Sequence, residues 1–237
     1  MDKKETIEQI VSDLEKTTGQ EEPVRILQEI GELLLTKYII KIKDIVIEPL
    51  WVEAYYFNPD KGFKDPFVYC EDEQKEFGSL FFHHKTDDQR SGVDICLSLS
   101  NDEGKSSDTY YLSFLLKYTL VNGEFTTQSQ LSGKIRKAYE ELSESEKKEV
   151  LKEYTTEVEA IACTERIGLK DNNNAERRIY SNMKLAIVRD FHKVYMVQKS
   201  LPKKEKLVDE YLSNHEVEKE KWCNSHLNYC PKKYKGK

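Results

Sequence analysis

The run Trp51 to Phe57, "WVEAYYF", sets one carboxylate, Glu53, among aromatic and apolar residues. Successive side chains of an extended strand point to opposite faces. Trp51, Glu53, Tyr55 and Phe57 therefore share one face, while Val52, Ala54 and Tyr56 share the other. Desolvation between rings favours the neutral acid and makes a carboxylate a competent proton acceptor near neutrality. Rings beside it suit a flat substrate such as a nucleobase, where stacking contributes about 1–3 kcal/mol per base. Tyr55, Tyr56, Phe67, Phe81 and Phe82 are available for this. The same run also fits a sheet edge from which the glutamate reaches water.

Two further clusters carry chemistry-bearing residues. "FFHHK" offers His83 and His84, but adjacent strand residues face opposite ways, so the two grip one metal only across a bulge. In "CNSHLNYC", Cys223, His226 and Cys230 lie at i, i+3 and i+7, one face of a helix. The paired C-x2-C arrangement of zinc sites is missing and Pro231 ends the helix, so the two cysteines read as small apolar residues on its inner face. There is no G-x-x-x-x-G-K-[ST], no G-x-G-x-x-G and no G-x-S-x-G, which argues against P-loop, Rossmann-cofactor and α/β-hydrolase chemistry. No cofactor is expected.

A chain of 237 residues, 38% hydrophobic and 34% charged, has enough length for a sizeable core and a well-solvated surface. No apolar run approaches the roughly 18 residues of a membrane span, and "MDKKETIEQI" reads directly into an amphipathic helix rather than a signal peptide. Five cysteines, at 70, 96, 163, 223 and 230, form no disulfide framework. A cytoplasmic protein with no membrane partner is expected. The net charge of −6 counts against a large nucleic-acid surface, although "SGKIRKAY", "LPKKEKL" and "CPKKYKGK" are locally basic.

The elements that must position these residues follow from periodicity. Helical spacing over 5–17 (Ile7, Ile10, Val11, Leu14) and 22–36 (Val24, Leu27, Ile30, Leu34) predicts two N-terminal helices. "YIIKIKDIVIE", "WVEAYYF", "SLFFHH", "VDICLSLS" and "YYLSFLLKYTLV" carry the sheet signature. The irregular stretch 58–77 is long for a connection, and such loops are often functional. Helices are expected over about 132–160, where Ser143 to Glu146 makes a capping box before Val150, Leu151 and Tyr154. Residues 164–180 read as a loop, "NMKLAIVRDF" and "HKVYMVQ" as a returning strand pair. From Pro202 to about His226 a charged helix turns Leu207, Val208, Tyr211 and Leu212 to one side. The expected fold is α+β: a single domain over 1–237, with a helical pair (1–37), a mixed, mainly antiparallel curved sheet (38–200), and a C-terminal helix and basic tail (201–237).

The order of "VEAYYF", "NPDKGFKDPFVYC", "FGSLFFHH", "DICLSLS" and "YYLSFLLKYTLV", followed by "LSGKIRKAYEEL" and "ERIGL", resembles the alkyladenine (3-methyladenine) DNA glycosylase family over about residues 45–197. The resemblance implies an N-glycoside hydrolase releasing a damaged or modified base, with Glu53 activating the attacking water. It implies a base pocket walled by Tyr55, with His83 at the position of a second aromatic. Ser98 falls where the family polices the base's edge and Lys117 falls near an active-site arginine. DNA or a nucleotide is the implied partner. The alternative is a non-catalytic nucleotide- or protein-binding protein on the same scaffold, with the terminal helices offering a surface for a protein partner.

Overall fold

The computed structural model describes residues 6–83, 91–99, 110–159, 161–166, 169, 174–190, 208–209, 212–213, 218–227 and 234–235. Helix α1 (Ile7–Leu14) is capped by Thr6, whose side chain accepts from the Gln9 N–H, and it buries Ile7, Ile10, Val11 and Leu14. Helix α2 (Glu21–Thr36) buries Ile26, Leu27, Ile30, Leu34 and Leu35. Gly31 lets it lie flat on the sheet, because a Cβ there would stand 2.7 Å from Ile187 Cδ1.

The strands follow as β1 (Tyr38–Ile42), β2 (Ile45–Asn58), β3 (Phe63–Lys64), β4 (Leu80–Phe82), β5 (Val93–Cys96), β6 (Tyr111–Val121) and β7 (Glu124–Thr127). Helices α3 (Gln128–Glu140) and α4 (Glu144–Lys147) precede β8 (Leu151–Glu153) and β9 (Ile161–Thr164). Helix α5 (Ala175–Ser181), β10 (Ala186–Arg189) and α6 (Lys219–Leu227) complete the order. The ten strands form one open sheet along β4-β5-β6-β2-β1-β8, with β10 on β2 and β9, β3 on β2, and β7 on β6. Every pairing among the described residues is antiparallel. The α+β expectation is met.

Strand β2 is the spine. β6 runs along one edge, while β1 and then β10 share the other. Proline cannot donate to a ladder, and register shifts follow Pro49, leaving Leu50 of β2 and Lys117 of β6 out of the pairing. One face of the sheet carries Val52, Ala54, Tyr56, Leu112, Phe114, Leu116 and Ile187. It packs with α1, α2 and the Leu131, Ile135 and Tyr139 stripe of α3 into the main apolar core. A second apolar cluster joins Leu50, Trp51, Ala162, Ala186 and Val188 to Val208, Leu212 and Cys223.

Three expectations are corrected. The helical region expected over 132–160 stops at Lys147, and Leu151–Glu153 is a strand. β1 has an open edge, and Tyr38, Ile39 and Ile40 pair with Glu153, Lys152 and Leu151, a long-range demand that outweighs local helical spacing. Tyr154, expected on a buried helix face, is 53% exposed. Residues 164–180 are not all loop: Asn174 accepts from the Arg177 N–H and starts α5. Strand β10 forms as expected but pairs with β9; the partner strand expected over 192–198 lies outside the described residues, as do Leu207, Tyr211, His84 and Cys230. No helix among the described residues is long and apolar enough to cross a membrane.

Candidate functional site

Residues directly opposite in an antiparallel pair share a face. Across the sheet, Ala186, Glu53, Leu115, Asp94 and Phe81 stand in one row, and Tyr55 and Ser113 start the next. The face opposite α1, α2 and α3 therefore carries two carboxylates in line, two strand spacings or roughly 10 Å apart. Glu53 stands at neither a sheet edge nor a water-exposed position: it is on the central strand with 0% exposure. Its Oε2 accepts from the Tyr55 hydroxyl at 3.3 Å and pairs with Lys117 Nζ at 3.4 Å. Lys117 is the residue that the β6 bulge sets outside the strand register, and bulges commonly re-aim a side chain in this way.

The second carboxylate anchors a chain of buried hydrogen bonds. Asp94 Oδ1 lies 2.7 Å from His83 Nε2 and its Oδ2 accepts from the Ser113 hydroxyl at 2.9 Å. The Gln74 amide donates to Ser113 Oγ at 3.3 Å, and Ser98 donates to the Gln74 carbonyl at 3.0 Å while accepting from the Leu112 N–H. The other imidazole nitrogen, Nδ1, lies 3.4 Å from the Tyr69 hydroxyl, with the two rings 4.7 Å apart. Burial, and then Asp94, pushes the Tyr69 phenol up, so it stays a donor.

Tyr55 stands between the two carboxylates. Burial pushes its phenol well above the ordinary value, the Glu53 charge adds to this, and Arg166 acts in the opposite direction. Its ring is covered by the Arg166 guanidinium at 4.6 Å. Arg166 itself is buried, with Nη1 donating to Asp65 Oδ2 at 2.5 Å and to the Ala54 carbonyl at 3.1 Å, and Nη2 donating to the Tyr180 carbonyl at 2.9 Å. Burial works against its charge, and Asp65, Tyr55 and Glu53 more than offset it, so its pKa is raised.

The structure thus brings Glu53, Tyr55 and Lys117 into one cluster and sets His83 beside it on the Asp94 carboxylate. Ser98 is not free to read a base edge: its hydroxyl is engaged with two backbone groups and instead fixes Gln74. Sequence reasoning missed Asp94, Ser113, Gln74, Asp65 and Arg166. Asp94 in "GVDIC" carries the same signal as Glu53, a lone acid in an apolar strand, and the same rule finds it. Arg166 carries no such signal, since its partners Ala54 and Asp65 lie 112 and 101 residues away. Of the cysteine cluster, Cys223 is buried in the second apolar cluster. Among the described residues no group of three His, Cys, Asp or Glu is placed to hold a metal.

Fold and site together define an open antiparallel α+β sheet protein with a buried acid–base cluster on one face. No family model, curated protein or solved structure matches the chain.

Proposed function

We propose that the protein is a DNA-glycosylase-like N-glycoside hydrolase that releases a damaged or modified base from a nucleotide, free or within a strand. The observation that supports this is the register placing Glu53, Tyr55, Ser113 and Asp94 on one sheet face, with Lys117 and His83 on the two carboxylates. In this reading water attacks the anomeric carbon, its proton passes to Glu53, and the carbon–nitrogen bond breaks toward the leaving base. Tyr55 holds one wall of the base pocket, braced by Arg166, and the His83–Asp94 pair orients the opposite side. Lys117 steadies the charge of Glu53.

A second reading is favoured by the zero exposure of Glu53: a non-catalytic nucleotide- or protein-binding protein in which Glu53 and Lys117 form a structural pair. One experiment separates the two. Wild type and Glu53→Gln are incubated with single- and double-stranded DNA carrying alkylated purines, and abasic sites are cleaved with alkali. Base release by wild type, lost in Glu53→Gln while circular dichroism shows that variant fully folded at the assay temperature, supports the hydrolase. No release by wild type overturns it and leaves the binding protein.

A further inference from the structure

Helix α3 has an interior glycine that neither its backbone nor its packing requires. Glycine inside a helix is destabilising relative to alanine. At Gly31 the cost has a packing reason, since a Cβ would collide with Ile187, whereas a Cβ on Gly133 would meet nothing within 4 Å. Gly133 instead lines a groove of about 590 Å³ beside the ends of β4 and β5. That volume lies within the range of small-ligand sites.

The groove's chemistry is that of an anion site. Ser129, Ser132, Gly133, Arg136 and Lys137 line it from α3 at i, i+3, i+4, i+7 and i+8, and Ser91 faces them. Ser91 and the first turn of α3 are tied by hydrogen bonds from Gln128 to the Ser91 carbonyl and from Ser91 to the Ser129 carbonyl. The Arg136 guanidinium is held 4.6 Å over the Phe82 ring, which fixes its plane, and its ion pair with Glu140 at the groove's far end is loose at 3.8 Å. Such an exposed pair contributes little and yields readily to a better anion. Lys137 forms no ion pair among the described residues. His83, only 7% exposed, also lines the groove while its Nε2 rests on Asp94.

We infer that this groove binds the phosphate of a nucleotide, with Gly133 keeping it open and Arg136, Lys137 and the Ser132 hydroxyl holding the anion. Assigning the phosphate to the substrate rests on the hydrolase reading above, with His83 as the residue common to base pocket and groove. A planar arginine fork and hydroxyl donors match phosphate oxygens.

The test uses the full chain in calorimetric titrations with adenosine 5′-monophosphate, adenosine and inorganic phosphate. Three variants are compared with wild type: Gly133→Leu, Arg136→Ala and Arg25→Ala. Wild type is expected to bind the monophosphate and phosphate, and to bind adenosine at least tenfold more weakly. Gly133→Leu fills the groove and should lose the monophosphate at least tenfold with a melting temperature equal to or above wild type, so misfolding cannot account for the loss. Arg136→Ala should weaken it about tenfold, and Arg25→Ala, an exposed arginine of α2, should leave it unchanged. Competition by a hexanucleotide single strand assigns the phosphate to a strand; its failure to compete assigns it to the free nucleotide. No phosphate binding by wild type, or wild-type affinity in Gly133→Leu, overturns the inference. Phosphate binding without base release removes the hydrolase reading and keeps the groove; base release equally efficient from substrates lacking the phosphate removes the groove and keeps the hydrolase.

Discussion

Arg166→Met is the substitution whose consequence the structure defines most fully. The guanidinium and its partner Asp65 both have side chains at 0% exposure, 2.5 Å apart. Removing the cation leaves Asp65 buried with a hydrogen bond from the Phe67 N–H, and it takes a donor from the carbonyls of Ala54 and Tyr180. Breaking a buried pair by deleting one partner costs about 3–5 kcal/mol, mostly because the other charge remains in low dielectric. For a chain of this size about 2–4 °C of melting temperature is lost per kcal/mol, so a fall of roughly 6–20 °C is expected. Urea unfolding of wild type, Arg166→Met, Asp65→Asn and the double variant reads the pair directly. The double variant should recover at least ~2 kcal/mol of the sum of the singles, because the second change no longer strands a charge. Arg166→Lys should not rescue, since an ammonium cannot reach a carboxylate, two carbonyls and a ring face together. Hydrogen exchange should rise first at 63–68 and 175–181, the segments that Arg166 ties to β2. A loss under ~1 kcal/mol in Arg166→Met, or an additive cycle, refutes the reasoning.

Two further predictions follow from the backbone and from the buried phenols. Gly78 has a φ of +79° and a Cβ there would lie 2.4 Å from the Lys148 carbonyl oxygen, so Gly78→Ala should cost at least ~2 kcal/mol of left-handed strain and collision; a melting temperature within a degree of wild type contradicts this. Burial pushes the phenols of Tyr56 and Tyr139 up to about 12. Burial, with Glu53, also raises that of Tyr55. A folded pKa above the unfolded value of about 10 gives stability that is complete below pH ~10 and is lost as pH rises toward 12. Urea midpoints should therefore hold up to about pH 10 and fall beyond it, and phenolate absorbance at the buried tyrosines should appear only with unfolding; titration of these groups near pH 10 in the folded protein would contradict this.

Legibility of the fold tracked how local each element's cause is. Both N-terminal helices were readable because Ile7, Ile10, Val11 and Leu14, and then Leu27, Ile30 and Leu34, repeat at 3.6 and are the residues that are buried. The capping box at Ser143 was readable and real, yet the helix it starts lasts one turn. The next residues serve the open edge of β1, more than a hundred positions earlier in the chain. At the site, period-2 alternation placed Glu53 and Tyr55 on one face correctly, and overlooked Asp94 only because the rule was applied to one strand. What alternation cannot supply is the cover: Gln74 and Arg166 reach that face from irregular segments, and no spacing announces them.

The two faces of β2 make different demands on an explanation. The face of Val52, Ala54 and Tyr56 is accounted for by burial alone, at about 25 cal/mol per Å² of apolar surface removed from water. The opposite face buries Trp51, Phe81, Leu115 and Val188 in the same way, but apolar burial does not account for the rest of it. It holds Glu53, Lys117, Asp94, His83, Asp65 and Arg166 under cover, and such ionic sets are often matched or bettered in stability by apolar residues of the same volume. A fold needing only stability would have continued the alternation of apolar residues into β5 and β6. The acids instead stand in register on either side of β6, each with a positively chargeable or protonatable partner and with a phenol kept neutral between them. Packing does not require that order; under the proposed hydrolase it is an order that proton transfer would use. This is why the weight of the functional reading rests on Glu53→Gln: the variant keeps the shape of the side chain and removes its capacity to take a proton together with the charge that faces Lys117, so its folded state is checked beside its activity.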